Sequence, residues 1–165
     1  MMSDLKFWDF SLGLYGRPEV PPAALRLQDR DGLDVNLVLW GIWLGRIGAA
    51  PLDEIFAASA VAQVAPWRDM VVRALRTIRQ TMKPGIPHAP AAEANDLREK
   101  IKKLELEGEQ IQHAILEAMA RPGPAQADKL IAVHNVAQIC AVEGVTIGDA
   151  VKADIELLVG AAFAK

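Results

Sequence analysis

One cysteine, Cys140, stands in a chain of 165 residues. No internal disulfide and no four-cysteine zinc site can form from it, and a reducing cytoplasm is the expected compartment. Long apolar runs are missing too: none approaches about 18 uninterrupted residues, so no membrane span is expected. A secretory leader is not expected either, because Asp4 and Lys6 precede an aromatic stretch and not a long apolar run ending in small residues. Charge of one sign is scarce. The 18 Lys and Arg against 21 Asp and Glu leave a net −3, so nucleic acid is not an expected partner. Strand signals are nearly absent: there is no alternating run bounded by turn residues and no Asn-Gly hairpin. Gly-x-Ser-x-Gly, the phosphate loop and the dinucleotide fingerprint are also absent, and no Glu-x-x-His pair occurs. The sequence therefore assigns no catalytic residue, no cofactor and no metal.

What is there is helical pattern, and the expected fold is all-α, a compact helical bundle. Ser3 is placed to cap a first helix that ends at Gly16 and Pro18. Pro21 and Pro22 suit the first turn of a second, where a missing N–H costs nothing. Asp34 reads as the cap of a third helix, Val35 to Leu44, apolar on nearly every side and hence central. Within it Gly41 and Gly45 lie one turn apart, which would let another helix approach closely. Asp53 opens a fourth helix and Pro66 a fifth running to Lys83; the pattern leaves open whether these are one kinked helix.

Residues 84–92 read as a proline-rich extended linker. It separates an aromatic-rich helical unit, 1–83, from a three-helix segment, 93–165, expected to pack on the first unit or on another chain. Eight of the nine aromatics lie at or before Trp67, and net charge changes from +1 over 1–83 to −4 over 84–165. The long helix after the linker carries Leu97, Ile101, Leu104, Gly108, Ile111, Ile115 and Ala118 at alternating spacings of 4 and 3, a heptad seam of coiled-coil type. Gly108 stands where Leu or Ile would be expected, so a neighbour is expected to crowd it. Two further helices follow, with Thr146 as the expected cap of the last.

Four strings, FWDFSLGLYGRP (7–18), LQDRDGLDVNLVLWGIWLG (27–45), VAPWRDMVVRALRTIR (64–79) and IKKLELEGEQIQ (101–112), occur in order. Together they resemble a bacterial family of small helical proteins classed as a domain of unknown function, over roughly Leu5 to Ala120. The resemblance implies a helical bacterial protein and brings no catalytic residues with it.

Three features are candidates for function. Asp29, Arg30, Asp31, Asp34 and Asn36 cluster at one turn. The cluster fails the calcium-loop pattern, because Leu33 falls where an oxygen ligand is needed. Asp29 and Asp34 beside Trp40 could form a carboxylate pair with pKa values pushed apart. The structural reading is that Gly32 stops one helix, Asp34 caps the next and Arg30 pairs with a carboxylate. Second, Arg68, Arg76, Arg79 and Lys83 fall within about 80° on one helix face, suited to an anionic partner or to the acidic second half of the chain. Third, Trp8, Trp40, Trp43 and Trp67 could line an apolar pocket or simply fill the core. Glu105, Glu109 and His113 are spaced i, i+4, i+8 but drift off the seam, and Cys140 lies in an apolar helix where packing is expected.

The first expectation for function is a non-enzymatic protein-interaction or assembly module, a homo-oligomer or protein partner joining through the heptad helix. The alternatives are a binder of an anionic partner through the basic face of helix 66–83, and an enzyme or carrier with a tryptophan-lined apolar pocket near Asp29 and Asp34. The candidate ligand or partner residues are Trp8, Asp29, Arg30, Asp34, Asn36, Trp40, Arg76 and Arg79.

Overall fold

The computed structural model describes residues 5–164; the expected Ser3 cap lies outside them. Helices α1 (Phe7–Tyr15), α2 (Val20–Asp29), α3 (Val35–Ile47), α4 (Glu54–Trp67), α5 (Arg73–Met82), α6 (Ala91–Ala118), α7 (Lys129–Val142) and α8 (Asp149–Phe163) follow in order, and no strand occurs among the described residues. None of these helices is long and apolar enough to cross a membrane.

Local signals account for several helix ends. The Asp34 carboxylate accepts the Asn36 N–H at 3.0 Å and Asp53 accepts the Phe56 N–H at 2.7 Å, each occupying a donor that the first turn leaves free. Gly48, at φ +67°, ends α3 in the left-handed conformation. Asp128 caps α7. Thr146 does not cap α8: the chain runs on to Gly148, which has no side chain to offer. Neither does Lys6 cap α1. There the Phe7 N–H donates to Glu117 Oε2 at 2.7 Å, a carboxylate delivered by the far end of α6.

α4 and α5 are one continuous rod. Pro66 sits inside α4, and a π-helical stretch, Arg68–Val72, joins the two without a break. Pro66 brings no N–H to the ladder and its ring crowds the preceding turn, and the wider π turn follows directly.

α3 is the centre, buried on every face except at Arg46. α7 lies against it where the two glycines are. A Cβ on Gly45 would fall 2.6 Å from the Ala132 backbone nitrogen, and one on Gly41 2.9 Å from Ile139 Cδ1. Buried Asn135 ties this contact, donating to the Gly41 carbonyl at 3.1 Å and accepting the Leu52 N–H at 2.8 Å. A single apolar cluster holds Phe7, Leu27, Trp40, Leu116, Ile139 and Leu158, so it draws on both sides of the linker.

α5 and α6 form an antiparallel hairpin across residues 83–90. The heptad stripe of α6 is divided by it. Ile101, Gly108 and Ile115 make one edge, half-buried or buried toward the body. Leu97, Leu104 and Ile111 make the other, and are 52%, 50% and 46% exposed. A Cβ on Gly108 would meet Val72 Cγ2 at 3.5 Å and Val71 Cγ1 at 3.7 Å, which is ordinary van der Waals contact. The crowding expected at this glycine is not there.

Candidate functional site

Between α1 and the α5–α6 hairpin lies a cleft lobe of about 370 Å³. Trp8, Ser11, Leu12 and Tyr15 form its α1 wall, since spacings of three, four and seven return to one helix face. The facing wall is an ion-pair network. Arg76 donates from Nε to Glu105 Oε1 at 2.9 Å and from Nη2 to Glu109 Oε1 at 2.6 Å. Arg79 donates from Nε to Glu105 Oε2 and from Nη2 to Glu105 Oε1. Burial alone would raise the Glu105 carboxyl, but Arg79 and Arg76 outweigh it and hold the group below the ordinary range. Glu109 goes the other way, because burial exceeds what Arg76 returns. Burial, with Glu109 nearby, pushes the Tyr15 hydroxyl up to about 12, so it stays protonated.

Under these walls lies His113. Burial holds it near 4, well below an ordinary histidine, so the ring is neutral. Its Nδ1 lies 2.8 Å from the Glu109 backbone carbonyl, which accepts only if Nδ1 carries the proton. Nε2 is then the acceptor for the Ser11 hydroxyl at 3.0 Å. Phe7 stacks on the ring at 4.1 Å and Trp8 meets it edge-on at 5.0 Å.

A second lobe of about 240 Å³ adjoins the first across Gln28, Asn36 and Arg76, which line both. Asp34 lies at its base. Besides capping α3, its carboxylate accepts from Gln112 Nε2 at 2.7 Å, and Arg68 is 3.8 Å away. Asn36 Nδ2 donates to Gln112 Oε1 at 3.2 Å. Glu143, just past the end of α7, accepts the Asp34 N–H at 2.8 Å and pairs with Arg68 at 3.2 Å; burial raises its carboxyl.

The family described as Protein of unknown function (DUF2390) matches residues 6–116. The chain belongs to that family. No curated protein and no solved structure matches it. The DUF2390 segment contains every residue lining both lobes, from Trp8 to His113, and stops before α7 and α8.

In this DUF2390 chain Trp8, Asn36, Arg76 and Arg79 line the first lobe, and Asp29, Asp34, Asn36 and Arg76 the second. Arg30 lies elsewhere, paired with Asp31 at 2.6 Å and Asp154 at 3.1 Å. Trp40 is fully buried in the core against Phe56, its indole N–H without a partner among the described residues. The tryptophan-lined pocket beside Asp29 and Asp34 is therefore not what forms. Trp43 and Trp67 are tied to the Leu5 and Gly108 carbonyls at 2.9 and 2.8 Å, and only Trp8 reaches the cleft. Nor does α5 offer a free basic face, since Arg76 and Arg79 are taken up by α6 carboxylates. Ser11, Tyr15, Gln112 and Glu143 carry no sequence signal for these places. Glu105, Glu109 and His113 do share a face, but the spacing alone does not say what it meets.

Proposed function

We propose that this chain is a non-enzymatic assembly module that pairs with a second copy of itself through α6. The observation that carries the reading is the outward edge of the α6 stripe. Leu97, Leu104 and Ile111 recur at every seventh residue and stand about half exposed. Ile78, 48% exposed, lies on the side of α5 away from Arg76 and so extends the same flank of the hairpin.

The charges beside this edge are self-complementary. Lys100 and Glu107 flank it on one side, both exposed and neither in an ion pair among the described residues. In an antiparallel pair centred on Leu104, Leu97 faces Ile111 of the second copy, and Lys100 faces its Glu107. A two-fold axis repeats both contacts, as an isologous interface requires. The compartment that suits the buried single cysteine is a reducing cytoplasm, and the family strings suit a bacterial source.

Sedimentation equilibrium on the full chain tests the reading. Wild type should dimerise at concentrations of about 10–100 μM, and Leu104→Glu should be monomeric with unchanged circular dichroism. Lys100→Glu and Glu107→Lys should each weaken the dimer, and the two together should restore it. A monomeric wild type, or a double variant no tighter than either single one, would refute the proposal.

A further inference from the structure

We infer that the first lobe of the cleft binds a neutral, planar heteroaromatic ring, of the purine nucleoside class, laid against Trp8 and Tyr15 of α1. This site faces away from the outward edge of α6, so it is independent of self-pairing.

Shape comes first. The lobe's volume of about 370 Å³ falls within the range of small-molecule sites, about 300–1,000 Å³. Trp8 and Tyr15 are seven residues apart on one helix face, about 10 Å along the axis. Leu12 lies between them, and Leu106 stands on the opposite wall. Leu12 and Leu106 are each about half exposed at 51% and 49%, and Tyr15 is 40% exposed. An apolar wall of this length with an aromatic ring at each end suits a fused two-ring system better than a single ring, and aromatic faces favour stacking.

Charge comes second. Two guanidinium groups and two carboxylates face the lobe, and their charges balance one another. An anion would have to compete with Glu105 for Arg79, and a cation with Arg76 for Glu109. The site therefore demands no net charge of its ligand.

Hydrogen bonding comes third. Several valences in the lobe have no partner among the described residues: the protonated Tyr15 hydroxyl, Glu109 Oε2, Asn36 Oδ1 and the Nη1 groups of Arg76 and Arg79. These include donors and acceptors together. A purely apolar ligand would bury them unpaired at a cost, whereas a ring with ring nitrogens and an amino or carbonyl edge answers both kinds. The adjoining lobe offers Gln28, Thr77 and Gln80, amide and hydroxyl groups suited to the sugar hydroxyls of a nucleoside.

Titration of the full-length chain with adenosine and with guanosine, followed by calorimetry and by proton–nitrogen NMR, tests this. Spermidine and inorganic phosphate are the charged comparison probes. One nucleoside should saturate with a Kd below about 1 mM and shift the Trp8 indole signal, while the indole signals of Trp40 and Trp43 stay in place. Trp8→Ala and Glu109→Gln should each weaken it about tenfold or more. Tyr15→Phe, which removes only a hydroxyl and keeps the ring, should weaken it by a smaller factor, and Lys100→Glu should leave it unchanged. The inference is overturned if neither nucleoside saturates at about 5 mM. It is equally overturned if binding survives Trp8→Ala, or if spermidine or phosphate binds this lobe more tightly than either nucleoside.

Discussion

Gly45 and Gly108 both sit in helices and face a neighbouring helix, yet one added methyl acts on them in opposite directions. At Gly45 the methyl would lie 2.6 Å from the Ala132 backbone nitrogen, an atom that cannot move without α7. Gly45→Ala should cost about 1–3 kcal/mol or more as overpacking. At Gly108 the nearest atoms are valine methyls at ordinary contact distance. There the helix-propensity gain prevails, and Gly108→Ala should stabilise by up to about 1 kcal/mol. Urea unfolding of the two variants checks both signs. His113 supplies a pH-dependent term. It titrates near 4 in the folded chain against an ordinary value of 6.5. Between those values the unfolded chain binds more protons, so this contribution is complete above 6.5 and is lost as pH falls toward 4, by about 3 kcal/mol in full. Glu109 and Glu143 are raised by burial and act in the opposite sense, with stability rising as they protonate. The histidine's share is therefore read as a difference: His113→Gln should have a smaller acid loss than wild type when unfolding is measured between pH 7 and pH 4.

α6 docks on the body by a largely polar face. Glu105, Gln112 and His113 are buried there, with Gly108 and Leu116 between and beyond them. Gln112 reaches both Asp34 and Asn36. Gln112→Leu keeps volume but removes the hydrogen bonds to the buried Asp34 carboxylate and to the Asn36 amide N–H, so it should cost about 1–3 kcal/mol. Leu104→Ala, on the outward edge, should stay within about 0.5 kcal/mol under conditions where the chain is monomeric. Chemical denaturation of the pair distinguishes a polar dock from an apolar one. This element shows where sequence pattern carries information and where it stops. The long helix after the linker and the period of its stripe were legible, because each is a local property. Which edge of the stripe turns inward was not, because that depends on Val71, Val72 and Leu75 of a helix some thirty residues earlier. The same limit applies to Arg76 and Arg79. A basic helix face looks solvated until the carboxylates of Glu105 and Glu109 are brought to it by the hairpin. Caps follow the rule as well: Asp34 serves a donor two residues on and was legible, whereas Glu117 serves α1 from 110 residues away and was not.

At the scale of the molecule, the family match ends at residue 116, yet the centre of the fold does not. α7 and α8 add Ala132, Val136, Ile139, Leu158 and Val159 to the same apolar cluster. The glycines of α3 announced a close neighbour, and what the sequence could not say was that α7 would be that neighbour. Cys140 lies at this junction, fully buried, its thiol pushed up to about 11 mainly by burial and further by Glu143 and Asp31. A thiol in that state does not react with iodoacetamide until the structure around it opens. Since the chain has one cysteine, alkylation at mildly alkaline pH should follow a single exponential with no fast phase. Its rate should rise steeply with urea and fall for any variant that stabilises the fold. The buried thiol is thus an internal clock, and it times how often α3 and α7 come apart.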